Sequence, residues 1–262
     1  MDIIRQIEAY RPYNEQEARD RAAMLRALSA VERVFERESE LMHMTASAWI
    51  VNAARERALM AYHNIYRSWS WLGGHADGER DLLAVALREA CEESGLGCVR
   101  PVLTAPFSLE ILPVAGHEKR GAYVPSHLHL NVTYLLEADE GAPLAARAGE
   151  NSGVRWFALD EAAAASAEPW MRARVYRKLN ERLRAVEDIA RLERGDVVFL
   201  YNERGSRIGH VMVCLGGGNV IHSTTVTELY EGTLVAGFRP ELQELYACAR
   251  RFSTVSYTHL RA

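Results

Sequence analysis

The segment from Gly74 to Leu96, GHADGERDLLAVALREACEESGL, is the part of this chain that most constrains its fold. Glu89, Glu92 and Glu93 are three and four residues apart, so on a helix their carboxylates share one arc. Like charges at this spacing repel one another. A hard divalent cation, which binds oxygen ligands, would cancel that repulsion. The segment therefore predicts a helix with a metal-binding face.

The same helix has an apolar side. Apolar residues recur at the spacing of a helix that packs on a core, and they are Leu83, Ala86, Leu87 and Ala90. Asp77 is a candidate N-cap and Gly95 a candidate for the residue that ends the helix. An ordinary amphipathic helix accounts for the apolar residues, but it does not explain three neighbouring acids.

The spacing of the fixed residues resembles the Nudix box, whose pattern is Gly, five residues, Glu, seven residues, then Arg-Glu-aliphatic-x-Glu-Glu-x-Gly-aliphatic. The residues that match in register are Gly74, Arg88, Glu89, Glu92, Glu93 and Gly95. The resemblance covers about residues 42–190, with the box at 74–96. Arg80 stands where the family has its first glutamate, and Leu72 where many relatives have proline.

This resemblance implies an α/β fold, the Nudix α/β/α sandwich with a mixed sheet. It also implies Mg²⁺- or Mn²⁺-dependent hydrolysis of the diphosphate bond in a nucleoside diphosphate linked to another group, by water attack on phosphorus. The metal ligands would be Glu89, Glu92, Glu93 and the Gly74 carbonyl. Glu93, Glu92 and Arg88 would be the catalytic residues, with Arg88 orienting the carboxylates.

The general base and the substrate contacts stay open. Glu150 lies in the loop AGENSG, where some relatives carry a catalytic acid, but a solvated loop charge is the simpler interpretation. Trp69 and Trp71 lie on one side of the strand that leads into the box. They would be able to stack on a nucleobase, although aromatic residues at a period of two are more often part of a core.

A second pattern begins near residue 195, where the chain becomes strand-like. Three short motifs resemble the second half of the NlpC-type, papain-like cell-wall peptidases, and they are Gly195–Phe199, Gly209–Val211 and Ile221–Ser223. His210 and His222 would correspond to the general base and the residue that orients it. Cys214 lies about 13 Å from His210 along the same strand, at about 3.3 Å per residue, and cannot be its nucleophile. We therefore interpret the two histidines as a vestigial pair.

These patterns predict four segments. An N-terminal helical segment covers residues 1–41 and contains an amphipathic helix over 14–38. A Nudix hydrolase domain covers 42–192 and is followed by a small partial β-rich segment, 193–254. The final residues, 255–262, resemble translated adapter sequence.

The composition of the chain excludes two classes of binding partner, nucleic-acid backbones and membranes. The net charge of −4 provides no basic surface for a nucleic-acid backbone, and the longest apolar runs are far shorter than a membrane span. The N-terminus lacks a signal-peptide core, and the four cysteines have no CxxC spacing, so we expect reduced thiols in a cytoplasmic protein. The expected partner is a small-molecule nucleotide, and the sequence does not indicate the oligomeric state.

Two alternative functions remain at this point. Arg80 in the glutamate position motivates a non-catalytic Nudix-fold module that senses a nucleotide. The NlpC-like motifs motivate a cell-wall peptidase, which the missing cysteine nucleophile disfavours.

Overall fold

The computed structural model of the chain describes residues 2–119, 121–190, 192–201, 208–217, 219–224, 232–237 and 246–250. The chain divides into two compact units, Met1–Asn180 and Glu181–Ala262. The sequence also predicts a hairpin turn at Glu203–Gly205, and both this turn and the predicted tail at 255–262 lie outside the described residues. The predicted boundary after residue 192 stays a prediction.

The first unit is built on a mixed sheet of eight strands. The central strand β1 (Met42–Val51) pairs in parallel with β9 (His127–Ala138) and antiparallel with β2 (Arg57–His63) and β4 (Leu72–His75). Four more strands extend the sheet: β3 (Ser68–Ser70) and β10 (Asn151–Ala158) pair with β2, and β5 (Val99–Pro101) and β6 (Ser108–Val114) pair with β9. One parallel pair among antiparallel neighbours makes this the mixed sheet that the sequence predicts.

A small hairpin lies apart from this sheet. Its strands are β7 (His117–Lys119) and β8 (Ala122–Val124). The sequence predicts only a polar turn and a connection over these residues, because each strand is too short for an alternating pattern to show.

Five α-helices occur in the part of the chain that is described: α1 (Ile3–Ala9), α2 (Glu15–Ala30), α3 (Leu82–Ser94), α4 (Leu159–Ala165) and α5 (Arg177–Ala190). The helical spacing of Val175, Leu179 and Leu183 predicts one α-helix from about residue 170 to 189. In the structure this stretch begins as a π-helix, Met171–Tyr176, which continues into α5. None of these helices is long and apolar enough to cross a membrane.

The helix predicted over residues 14–38 is shorter in the structure, because α2 ends at Ala30. Val31 has an extended backbone, and Arg33 has a φ of 59°, in the left-handed region. The turns that follow bury Val34 and Phe35, and the Val34 carbonyl accepts a hydrogen bond from the Met44 amide at 2.8 Å. The apolar residues that suggest a longer helix therefore reach the core through a turn.

The two faces of the sheet differ in chemistry. Met44 and Ala46 of β1 belong to one apolar cluster with Val85, Ala86 and Ala90 of α3. The next residues along β1 face the other way, because side chains alternate along a strand. Thr45 and Ser47 each donate a hydrogen bond to Asn131 of β9, at 3.0 and 2.8 Å. The core side of α3 is therefore apolar, and the opposite side of the sheet is polar and buried.

A buried ion triad completes this polar side. The Lys178 Nζ lies 2.8 Å from Glu17 and 2.9 Å from Glu110, and all three side chains are at most 3% exposed. Burial disfavours the lysine charge, but the two carboxylates together outweigh that effect and raise the pKa of Lys178. Asn131 and Thr133 donate to the remaining Glu110 oxygen at 3.0 and 2.9 Å. The triad attaches α2 and α5 to the sheet.

The second unit contains a five-stranded antiparallel sheet, as the β-rich prediction requires. Its strands, in spatial order, are β14 (Gly232–Gly237), β13 (Asn219–Thr224), β12 (Ile208–Gly216), β11 (Val197–Tyr201) and β15 (Tyr246–Arg250). Val198, Leu200, Met212 and Val220 form its core, with Leu192 and Ala249 packed against them.

We predict that a chain ending after Leu192 folds by itself, because the larger sheet and its apolar core lie within the first unit. Circular dichroism and cooperative thermal unfolding of the shortened chain test this. A spectrum without ordered structure would show that the β-rich segment is needed to complete the fold.

Candidate functional site

Helix α3 is fixed at both ends by its own sequence. Asp81 is the N-cap, and its carboxylate accepts a hydrogen bond from the Ala84 amide at 3.1 Å. The predicted N-cap, Asp77, is wrong: it has a φ of 50° and forms an ion pair with Arg37 in the turn before the helix. Gly95 ends the helix with a φ of 73°, as predicted, a conformation that favours glycine.

Two glycines of β4 allow close contacts with its neighbours: Gly73 lies against β1, and Gly74 lies against helix α3. A Cβ atom on Gly73 would lie 2.5 Å from the Ala46 carbonyl oxygen, and one on Gly74 would lie 2.6 Å from the Glu89 carboxyl carbon. The Gly73 amide donates a hydrogen bond of 2.9 Å to a carboxylate oxygen of Glu93. The backbone of β4 therefore forms one wall of the carboxylate site.

The acids gather around one guanidinium. The Arg147 Nη1 lies 3.0 Å from Glu92, 3.2 Å from Glu150 and 3.5 Å from Glu89. Arg88 donates a hydrogen bond of 3.2 Å to the other oxygen of Glu89. The structure thus brings the predicted carboxylates to one place, and Glu150, the loop residue whose role the sequence leaves open, lies there as well.

Burial strongly affects two of these carboxylates. Burial is the largest effect on Glu93; with the negative charges of Glu89 and Glu150 it outweighs the Gly73 hydrogen bond and raises the pKa of Glu93 to about 8. Burial also raises the pKa of Glu89, against the opposing effect of Arg88. In the absence of a cation, Glu93 therefore keeps its proton at neutral pH.

The residues present fit a divalent cation. The donor set consists of carboxylate oxygens, which Mg²⁺ and Mn²⁺ prefer. Those oxygens already surround a positive group, and the Gly74 backbone lies against Glu89. The side chains of Arg147, Glu92 and Glu150 are 39%, 43% and 42% exposed, so these ion pairs are weak, about 0–1 kcal/mol each, and exchange readily.

Arg80, which replaces the family's first glutamate, lies in the turn between β4 and α3 and contacts Phe35. Its guanidinium is 4.8 Å from the centroid of the Phe35 ring, a cation–π contact. The neighbouring Glu79 accepts a hydrogen bond from the Asp81 amide at 2.8 Å, just ahead of helix α3. Both side chains thus have local structural contacts.

The predicted nucleobase contacts pack among other side chains. Trp69 makes edge-on contacts with Tyr62 and Phe157, at centroid distances of 5.5 and 4.9 Å. Trp71 has an edge-on contact with Tyr176 at 5.7 Å. Both tryptophans are half-buried and packed against other aromatic rings of the protein.

The second unit brings its two predicted histidines together. The Nε2 of His210 lies 2.8 Å from the Nδ1 of His222 on the neighbouring strand. Cys214 is buried further along β12, where it pairs with Val220. The vestigial interpretation of the histidine pair stays a prediction.

Arg147 is the site residue that sequence reasoning missed. It lies in an irregular loop between β9 and β10, where neither helical nor strand periodicity applies. The sequence contains one local signal, the spacing of three residues between Arg147 and Glu150, two opposite charges that form an ion pair in the structure.

The chain belongs to the Nudix family: the family model described as NUDIX domain matches residues 41–179, more than half of the chain. The protein is therefore a hydrolase of the Nudix type, as the sequence predicts. The family match and the mixed sheet with its helices also confirm the predicted fold class.

Solved structures similar to this chain include an Ap4A hydrolase from C. elegans in a binary complex, with 16% identity, a TM-score of 0.37 and coverage of 55% of this chain and 96% of that one. They also include the E. coli dihydroneopterin triphosphate pyrophosphohydrolase, with 13% identity, a TM-score of 0.40 and coverage of 53% and 92%. A Nudix-family hydrolase from Clostridium perfringens has 19% identity, a TM-score of 0.38 and coverage of 55% and 97%. A search of curated protein sequences found no significant match.

Because the pKa of Glu93 is raised in the fold, we predict that this residue makes the stability of the protein depend on pH. Its pKa is about 8 in the fold and 4.5 when unperturbed, so the folded state holds this proton more tightly than the unfolded state. The resulting stability is fully present below about pH 4.5 and is lost as the pH rises toward 8. With EDTA present, the free energy of unfolding of the Glu93→Gln variant should therefore fall less steeply with pH than that of the wild type.

Urea denaturation at a series of pH values measures this difference, whose upper limit is about 1.4 kcal/mol per pH unit. Glu161→Gln, a substitution of an exposed glutamate on α4, is the matched control and should follow the wild type. Equal slopes for Glu93→Gln and the wild type would contradict the assignment.

Proposed function

We propose that this Nudix hydrolase cleaves the diphosphate bond of a nucleoside diphosphate linked to another group, with Mg²⁺ or Mn²⁺, by water attack on phosphorus. One observation supports the proposal above all: Glu89, Glu92 and Glu150 direct oxygens at a single positive group over distances of 3.0–3.5 Å. A site that gathers oxygens in this way is suited to a divalent cation beside a polyphosphate.

Glu89, Glu92, Glu93 and the Gly74 carbonyl would hold the metal. Bound there, it would offset the charge of the diphosphate and lower the pKa of a coordinated water. Glu93 would have to lose its proton to hold the metal, since a metal ligand must be deprotonated. The hydrogen bond from Gly73 is made to one Glu93 oxygen, so the other oxygen would be the metal ligand.

The two arginines have different roles in this proposal. Arg88 holds one Glu89 oxygen, so it fixes the carboxylate's orientation. Arg147 shares its three carboxylate partners with the proposed metal site, and beside a bound cation its guanidinium would be available to phosphate oxygens of the substrate.

Glu150 is the stronger candidate for the general base. Its ion pair with Arg147 holds it beside the other carboxylates. Its side chain is 42% exposed, so water and substrate can reach it. Glu93 is almost fully buried and has one oxygen held by Gly73. The expected partner is a small-molecule nucleotide, and the cytoplasmic location stays a prediction.

We predict that Glu92→Gln and Glu93→Gln each reduce turnover about 100-fold or more with the fold retained, because a neutral amide cannot replace a charged metal ligand. Monophosphate release from a panel of nucleoside diphosphate derivatives, with and without Mg²⁺, measures the effect. Glu161→Gln is the control and should retain the wild-type rate. Rates near wild type in both test variants would show that these carboxylates are not the metal site.

We also predict that Arg147→Gln lowers the Mg²⁺ concentration needed for half-saturation, because the guanidinium competes with the cation for the same oxygens. Calorimetric titration with Mg²⁺ tests this without depending on turnover. Arg172→Gln, on the π-helix, is the control and should leave the affinity unchanged. Weaker Mg²⁺ binding in Arg147→Gln would mean that this arginine supports the metal site.

A further inference from the structure

Four histidines from three adjacent strands come together on the polar face of the larger sheet. His43 of β1 and His129 of β9 are directly paired in the parallel ladder, and His75 of β4 pairs with Thr45, two residues from His43. The ring centroids of His43, His75 and His129 are 5.0 Å apart in every pair, and His127 lies 4.9 Å from His43 and 5.0 Å from His129. The carboxylate mechanism proposed above uses none of these rings.

The hydrogen bonds of His43 prepare it as a metal ligand. Its Nδ1 lies 3.1 Å from the Ser39 carbonyl, which only accepts, so Nδ1 carries the proton. Its Nε2 therefore carries the lone pair. This nitrogen is buried, and among the described residues it has no hydrogen-bond partner, in a side chain that is only 4% exposed overall. An unsatisfied buried polar atom is costly, and a ligand is one explanation for it.

His127 orients His129 in a comparable way. The Nδ1 of His127 lies 2.8 Å from the Pro125 carbonyl, so its Nε2 accepts from the Nε2 of His129 at 3.1 Å. Burial, followed by the neighbouring histidines, lowers the pKa of His129 to about 2, and burial lowers the pKa of His43. For His43 and His129 these effects favour the neutral ring, which keeps a lone pair for a metal.

We propose that His43, His75 and His129 form a second metal site, which binds a divalent transition metal of the Zn²⁺ class. Each residue offers a ligand atom, and these atoms all lie within 4.8 Å of one another. Tetrahedral Zn²⁺ with bonds of about 2.0–2.1 Å needs ligand nitrogens about 3.3 Å apart, so small side-chain rotations complete the site.

The ligand chemistry separates this site from the carboxylate site. Neutral imidazoles favour Zn²⁺, Co²⁺, Ni²⁺ and Cu²⁺, whereas carboxylates favour Mg²⁺ and Mn²⁺. His43 is buried, while His75 and His129 are partly exposed, which leaves a route of entry for the ion. His127 is a positioning residue, because its contact with His129 fixes the ring that binds.

A metal at this position would join β1, β4 and β9. His75 directly follows Gly74, whose backbone lies against Glu89. The site would therefore stabilise the strand that forms one wall of the carboxylate site. It does not depend on the proposed hydrolysis.

The test uses the full chain stripped of metal and then titrated with Zn²⁺ by calorimetry, and with Co²⁺ by visible absorption. We expect saturation at one Zn²⁺ per chain in the presence of excess Mg²⁺. His75→Gln and His129→Gln should each weaken this binding about tenfold or more. His63→Gln, on β2, and Glu92→Gln should leave it unchanged.

Imidazole nitrogen chemical shifts in the wild-type chain provide a readout that does not rely on the folding of any variant. Zn²⁺ should shift the signals of three or four histidines together. The proposal is overturned by absence of saturable binding, by unchanged imidazole shifts, or by binding that is lost in Glu92→Gln and kept in folded His75→Gln and His129→Gln variants.

Discussion

The close approach of helix α3 to strand β4 is the constraint on which the rest of the site depends. It requires glycine at position 74, because a Cβ there would meet the Glu89 side chain. Gly73 has a separate role, since a Cβ there would meet the Ala46 carbonyl of the neighbouring strand β1. This approach allows the Gly73 amide to hold Glu93, and it places Glu89 against the backbone of β4. The apolar side of the same helix fixes its position on the sheet, so core packing and site geometry arise from one element.

The arrangement has an electrostatic cost in the absence of a cation. Burial raises the pKa of Glu93 to about 8 and also raises that of Glu89, so without a cation the ionised forms of these two carboxylates are disfavoured. Arg147 relieves part of this cost through weak, half-exposed ion pairs. Carboxylates with strongly raised pKa values are typical of functional sites. Such sites lower the stability of the ligand-free fold, and a bound ligand restores it.

The sequence predicts this helix and its acids because they lie within one continuous segment with fixed spacing. It predicts less well the features that depend on contacts between distant residues. Arg147 reaches the acids from an irregular loop, and His43, His75 and His129 meet only because their strands are neighbours. The sequence places the N-cap of α3 four residues too early, because Asp77 and Asp81 are both good capping residues. The structure distinguishes them, since Asp77 forms an ion pair with Arg37.

In the proposed function, the carboxylate site directs water to a phosphorus atom of a diphosphate. Hydrolysis of a nucleoside diphosphate derivative in ¹⁸O-labelled water, followed by ³¹P NMR, locates the atom that the water attacks. We expect Mg²⁺- or Mn²⁺-dependent release of a monophosphate whose phosphoryl group carries the label. Incorporation of the label into a non-phosphorylated product, or equal turnover in EDTA, would show that this function is wrong.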